Sequence, residues 1–164
     1  MAIIIDANCI PCVFSPSNSF HAEFKPVYDW IMEGEGVIVI GGKKYKNELG
    51  KISSYLRIFN ELKKIGKVVN GNDLSIDEYE RAVISNHSQR LFNDEHLVAM
   101  VVETKCMLIC SNDLSSIKYV QDKTFYPTGF PFCPAYYTGK RNKNLLNRRY
   151  VHHTLISRLN KKNM

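Results

Sequence analysis

Residues 2–8 read AIIIDAN. Three consecutive isoleucines running into an aspartate decide the fold class, because an unbroken β-branched run suits a strand buried on both faces of a parallel sheet. Asp6 then stands where that strand emerges. A carboxylate at the exit of a buried strand needs a partner.

Outward from that strand, apolar runs and helical periodicity alternate. A helix is expected over 19–33, interrupted or delayed by Pro26, and GVIVIGG at 36–42 reads as a second strand closed by two glycines. In 43–66, Tyr45, Leu49, Ile52, Leu56, Phe59 and Leu62 recur at helical spacing, with Gly50 as a candidate break. A short strand at 67–70 leads to a helix at 75–86, whose early acids and later Arg81 suit the helix dipole. Residues 93–105 look helical, 105–113 (KCMLICSND) look like a strand ending in polar residues, and 114–122 begin another helix. The alternation predicts an α/β fold with a mainly parallel sheet and right-handed crossovers. Residues 125–137, FYPTGFPFCPAYY, are rich in proline and aromatics and read as irregular chain.

A chain of 164 residues with 45% hydrophobic and 23% charged content suits one globular domain, placed here at 1–139, followed by a basic helical tail at 140–164. The apolar runs are strand-sized, which excludes a membrane span, and no secretory signal is read at the N-terminus, so a cytoplasmic address is expected. The five cysteines are an odd number and read as thiols. Cys9 and Cys12 form a CxxC, and Cys106 and Cys110 fall in the strand-like run. Four such thiols could hold zinc, but small buried core residues are the preferred reading.

The net charge of +6 is unevenly placed. Residues 140–164 hold eight Lys or Arg and no acid, which leaves 14 basic and 16 acidic groups in the rest. A basic tail on a near-neutral body suits a polyanion such as nucleic acid, or equally a solvated face or a docking segment.

In open α/β sheets ligands bind beyond the carboxyl ends of the strands. Asp6 and Asp113 end strands, Asp94 falls at the start of a crossover helix, and Glu48 lies just inside the helix after GVIVIGG. Four acids from distant stretches are thus expected to converge. Singly, Asp94 could complement a helix dipole, Asp113 could cap the helix at Leu114, and Glu48 could be surface charge. Together they would repel unless a cation compensates, and hard oxygen ligands suit Mg2+ or Mn2+. Such a site can activate water for in-line attack on a phosphodiester.

The pieces IIIDAN with Asp6 and Asn8, GGKKYKNEL with Glu48, NDEHLVAMV with Asp94 and Ala99, and SND with Ser111 and Asp113 resemble the PIN domain, a family of metal-dependent nucleases. The resemblance covers residues 1 to 122 and rests on four short motifs in order. It implies a three-layer α/β/α sandwich, an acidic pocket for Mg2+ or Mn2+, and single-stranded RNA as substrate class. By position, Asp6, Glu48, Asp94 and Asp113 would be the catalytic, metal-binding acids, with Asn8 and Ser111 as supporting polar groups. Many family members carry another acid two residues after the last aspartate, where this chain has Ser115, which weakens the case for a second metal. Glu95 could assist Asp94, although adjacent helix residues diverge by about 100°. His96 is a candidate phosphate or leaving-group contact, or else a surface or core histidine.

Lys43, Lys44 and Lys46 flank Glu48 and could draw a phosphate backbone towards it. In the tail, Val151, Leu155 and Leu159 share a helical stripe, with Arg148, Arg149, Arg158, Lys161 and Lys162 around it. Tyr126, Phe130, Phe132, Tyr136 and Tyr137 could stack on unpaired bases, with core packing the preferred reading. GxxxxGK[ST], GxGxxG after the first strand and GxSxG are all absent, which argues against a P-loop, a dinucleotide site and a hydrolase elbow. The expected function is therefore an Mg2+- or Mn2+-dependent endoribonuclease, the toxin of a toxin–antitoxin pair. Its candidate partners are RNA, an antitoxin protein and a second copy of the chain. The alternative is a noncatalytic RNA-binding or assembly module on the same fold.

Overall fold

A computed structural model describes residues 1–86, 93–130 and 133–147. Strand β1 (Ala2–Ile5) is buried along its whole length, and Ile3, Ile4 and Ile5 expose nothing. Each such side chain contributes about 1.5–3 kcal/mol on burial, so the isoleucine run fixes the centre of the molecule. A 3-10 turn at Ala7–Cys9 and helix α1 (Ile10–Phe14) follow, with Pro11 in the first turn, where its missing N–H is tolerated. Helix α2 (His21–Met32) contains Pro26, and the carbonyl which that ring leaves unpaired belongs to exposed Ala22.

Strand β2 (Val37–Ile40) ends at Gly41 and Gly42, and Gly42 adopts a positive φ of 82° that only glycine takes without strain. Helix α3 (Lys43–Lys51) runs through Gly50 and breaks at Ile52, after which a 3-10 turn and helix α4 (Leu56–Lys64) complete the segment. Strand β3 (Val68–Asn70), helix α5 (Asp73–Asn86), helix α6 (Glu95–Thr104), strand β4 (Leu108–Cys110) and helix α7 (Leu114–Val120) then follow in the expected order.

One expectation fails in the aromatic segment. Residues 135–137 are not irregular chain but strand β5 (Ala135–Tyr137), which pairs in parallel with β4. Among the described residues the strands form one all-parallel sheet in the order β3-β2-β1-β4-β5. β1 lies at its middle, with Ala2 beside Val37 on one side and Ile5 beside Cys110 on the other. Helices α1 and α2 pack on each other, as do α5 and α6, and the helix-flanked sheet is consistent with a three-layer sandwich.

A 3-10 segment at Lys140–Leu145 packs against α2, where the Lys140 backbone N–H donates to Glu23 Oε2 at 3.0 Å and Asn142 Nδ2 donates to the Tyr136 carbonyl at 2.8 Å. The first part of the basic tail is thus anchored to the body. Its remainder, with the stripe Val151, Leu155 and Leu159, lies outside the described residues. Among the described residues no helix is long and apolar enough to cross a membrane.

Candidate functional site

The strand order reverses direction between β1 and β4, and such a switch point is where open α/β sheets bind ligands. The polar ends of IIIDAN and LICSND meet there. The Asp6 N–H donates to the Cys110 carbonyl at 2.9 Å and the Ser111 N–H to the Tyr137 carbonyl at 3.1 Å, so the ladder carries both chains one residue past their strands.

Asp6 is 4% exposed. Its Oδ2 accepts from Ser111 Oγ at 2.8 Å and its Oδ1 from the Asn8 N–H at 3.2 Å. Asn8 therefore supports the carboxylate through its backbone. Burial pushes the Asp6 carboxyl above its ordinary range, the bonds from Ser111 and Asn8 and the nearby His96 oppose that shift, and Glu48 adds to it.

Ser111 is fully buried, and its Oγ also accepts the Asp113 N–H at 3.0 Å. One hydroxyl thereby ties Asp6 to the start of α7. Asp113 caps that helix, its Oδ1 accepting from the Ser115 N–H at 2.9 Å and from Ser115 Oγ at 2.5 Å. The capping role expected of Asp113 is present, and one of its two oxygens carries it.

Asp94 sits at the N-cap position of α6 but makes no capping bond with its side chain. Burial raises its carboxyl pKa and so does the charge of Asp6, while His96 pulls it down, Asp113 adds a further upward push, and Lys44 opposes. Three aspartates from β1, α6 and α7 therefore share one electrostatic neighbourhood. Glu48 reaches it from α3, half-buried, with its Oε2 3.3 Å from His96 Nε2. His96 holds the Glu48 carboxyl below its ordinary range.

The lysines beside Glu48 have separate fates. Lys44 donates to the Asn93 carbonyl and stands 4.0 Å from buried Glu95, which directs its charge towards the acids. Lys46 turns away to Asp73 at 2.6 Å. Lys43 is exposed, and its backbone N–H goes to Asp77 Oδ1 at 2.8 Å. Arg148, Arg149, Arg158, Lys161 and Lys162 lie outside the described residues, as does Phe132.

His96 is 2% exposed, which leaves it no surface for a phosphate contact. Among the described residues neither ring nitrogen has a partner in hydrogen-bonding geometry; the approach to Glu48 has ion-pair length without hydrogen-bond direction. An unpartnered buried polar group costs about 1–3 kcal/mol. Glu80 was not expected in this neighbourhood, yet burial raises its carboxyl pKa while His96 and Lys44 lower it. A signal for it exists in the sequence: Glu80 falls on the stripe of Ile76 and Val83, the buried residues of α5.

Tyr126, Tyr136 and Tyr137 are buried, and Phe130 stacks on Tyr126 at 5.2 Å, so these aromatics pack the body instead of offering faces to bases. All five cysteines are free thiols, with Cys9 and Cys110 Sγ atoms 3.9 Å apart under Asp6.

Among the described residues no three His, Cys, Asp or Glu side chains close into a group that would hold a metal as they stand. The donor chemistry nonetheless fits a hard divalent cation. Asp6 is buried and Asp94 half-buried, and the charge of Asp6 acts against that of Asp94, which a cation between them would relieve. Mg2+ commonly takes one or two carboxylates directly and keeps several waters, so acids separated by a gap remain suitable. Comparison of the chain with protein-family models, with curated proteins and with solved structures finds no match in any of the three.

Proposed function

We propose that this chain is a PIN-like, Mg2+- or Mn2+-dependent endoribonuclease that hydrolyses phosphodiester bonds in single-stranded RNA, acting as the toxin of a toxin–antitoxin pair. The observation that carries the reading is the Asp6–Ser111 bond of 2.8 Å at the switch point, with Asp94 and Asp113 close enough to act on one another's charge. Asp6 is buried, Asp94 half-buried and Asp113 exposed, and a buried carboxylate beside further carboxylates at a ligand-binding edge is unfavourable for folding and needs a functional reason.

Asp6, Asp94, Asp113 and Glu48 would hold the cation. Once bound, it supplies an activated water and charge compensation for the departing oxygen. The chain's own residues do the positioning. Ser111 and the Asn8 amide fix the Asp6 carboxylate in one rotamer, and Ser111 couples it to the α7 cap that holds Asp113. Lys44 limits the repulsion among the acids. Exposed Lys43 stands at the mouth of α3 as a diffuse attraction for a phosphate backbone. Free thiols fit a reducing cytoplasm, where an antitoxin protein would be the inhibitory partner.

That no three potential ligands close into a metal-holding group among the described residues favours one second reading, a noncatalytic RNA-binding or assembly module on the same scaffold. Labelled single-stranded RNA incubated with purified protein and Mn2+ separates the two. The nuclease reading expects cleavage that chelator stops and that Asp6→Asn and Asp94→Asn abolish while circular dichroism stays native. RNA that is bound but left intact by wild-type protein at saturating Mn2+ would sink it.

A further inference from the structure

The nuclease reading leaves His96 without a task, although its ring stands 3.3 Å from Glu48 and acts electrostatically on Asp6 and Asp94. It occupies the first turn of α6, two residues beyond Asp94, and is 2% exposed. Groups from every neighbouring element face it. Glu48 of α3 is 3.3 Å from Nε2, the Tyr45 ring of α3 lies 6.4 Å away, and Asp6, Asp94, Glu80 and Glu48 all feel its charge.

A core histidine of purely structural purpose has its nitrogens hydrogen-bonded, and here neither bonds to any described residue, the ion-pair approach to Glu48 being its one close polar contact among them. A substrate contact needs an accessible ring, which the burial denies. What remains is an action through the one polar group it touches. Glu48 is a long side chain, 30% exposed, on an otherwise lysine-rich helix turn, and among the described residues His96 is the group in ion-pair contact with its carboxylate. Left alone, such a side chain spends its time among several rotamers. A ring locked by packing is the kind of fixed support that keeps a ligating group in place.

We propose that His96 is a positioning residue that holds the Glu48 carboxylate at the acidic pocket through Nε2, so that α3 contributes a ligating acid beside those from β1, α6 and α7. The proposal rests on the metal-nuclease reading above and adds to it a specific support for Glu48.

The test uses the full-length protein, Mn2+ as the probe, and the electron paramagnetic resonance signal of free Mn2+ to measure its dissociation constant. His96→Leu, which removes the nitrogen, should weaken Mn2+ binding about 10- to 100-fold, the usual range for loss of a supporting group. His96→Gln keeps an N–H at similar reach and should recover most of that affinity. In a Glu48→Gln background, His96→Leu should cost nothing further, because the two act as a unit. Cleavage by His96→Leu should be poor at limiting Mn2+ and return at high Mn2+, with the KM for RNA unchanged. If His96→Leu fails to melt cooperatively, His96→Asn, whose amide falls short of Glu48, takes its place in the same comparison.

Wild-type affinity for Mn2+ in the His96 variant, or an equal loss with and without the Glu48 carboxylate, overturns the positioning role and leaves the nuclease reading intact. Wild-type protein that neither binds Mn2+ nor cuts RNA overturns both.

Discussion

Asp6 has two opposed duties. It must be buried to stand at the end of β1, and it would have to be charged to bind the proposed cation. Its folded-state pKa lies above the ordinary value of 3.8, so the folded protein holds the proton more tightly than the unfolded chain. The favourable contribution of the neutral carboxyl is therefore present below that ordinary value and is lost as pH rises through the folded-state value. Asp6→Asn removes the loss. In chelator-containing buffer its melting temperature relative to wild type should be higher at pH 7 than at pH 4; a constant difference across that range would contradict the burial argument. Ser111→Ala deletes the hydroxyl shared by Asp6 and Asp113, and cleavage should fall about 10- to 100-fold with the fold retained. At Tyr45, the hydroxyl donates to the Ile5 carbonyl at 2.6 Å in a fully buried setting. Tyr45→Phe should cost about 1–2 kcal/mol by chemical denaturation. Asp6 could be picked from the sequence because it follows an apolar run directly, and Asp113 because it closes the short polar stretch SND after another such run. The task of His96 could not, because its partner lies 48 positions away in the chain and only packing brings the two together.

At the scale of elements, the turn from β2 into α3 sets the position of Glu48. Gly42 takes a positive φ, and a Cβ there would lie 2.6 Å from Ile76 Cγ2. Gly42→Ala should destabilise the protein by about 1–3 kcal/mol and lower Mn2+ affinity through displacement of α3. Gly50 is the useful contrast. It lies inside α3 with nothing within 4 Å of where an alanine methyl would stand and an ordinary backbone, so Gly50→Ala should stabilise by about 0.5–1 kcal/mol. Both values follow from urea unfolding. Periodicity found α3 and α4 but put the break at Gly50, whereas the chain breaks at Ile52. Local spacing measures which face is apolar, and the end of a helix depends on where the next one must pack. Strand β5 escaped notice for a related reason. Three residues after Pro134, two of them tyrosines, carry no alternation of their own, and it is pairing with β4 that makes them a strand.

For the whole molecule, charge and fold separate. The 3-10 segment at Lys140–Leu145 is tied to the described body by its bonds to Glu23 of α2 and to the Tyr136 carbonyl of β5. The basic residues beyond Asn147, namely Arg148, Arg149, Arg158, Lys161 and Lys162, lie outside the described residues. Truncation after Asn147 should leave the melting temperature of the body close to that of the full chain. It should weaken RNA binding and flatten the dependence of log affinity on log salt, since fewer phosphates are neutralised. An unchanged salt slope would remove the tail from the RNA-binding surface.

The sequence alone determined the parallel α/β class and the placing of Asp6, Asp94 and Asp113 at helix starts and strand ends, because buried β-branched runs and helical periods are local facts of the chain. Tertiary structure decided the strand order, the fifth strand, the Asp6–Ser111 bond across 105 residues and the burial of His96 against Glu48. These depend on which segments become neighbours once the apolar surfaces are covered. A pattern of residue types says that a surface will be buried, and the packed chain says against what.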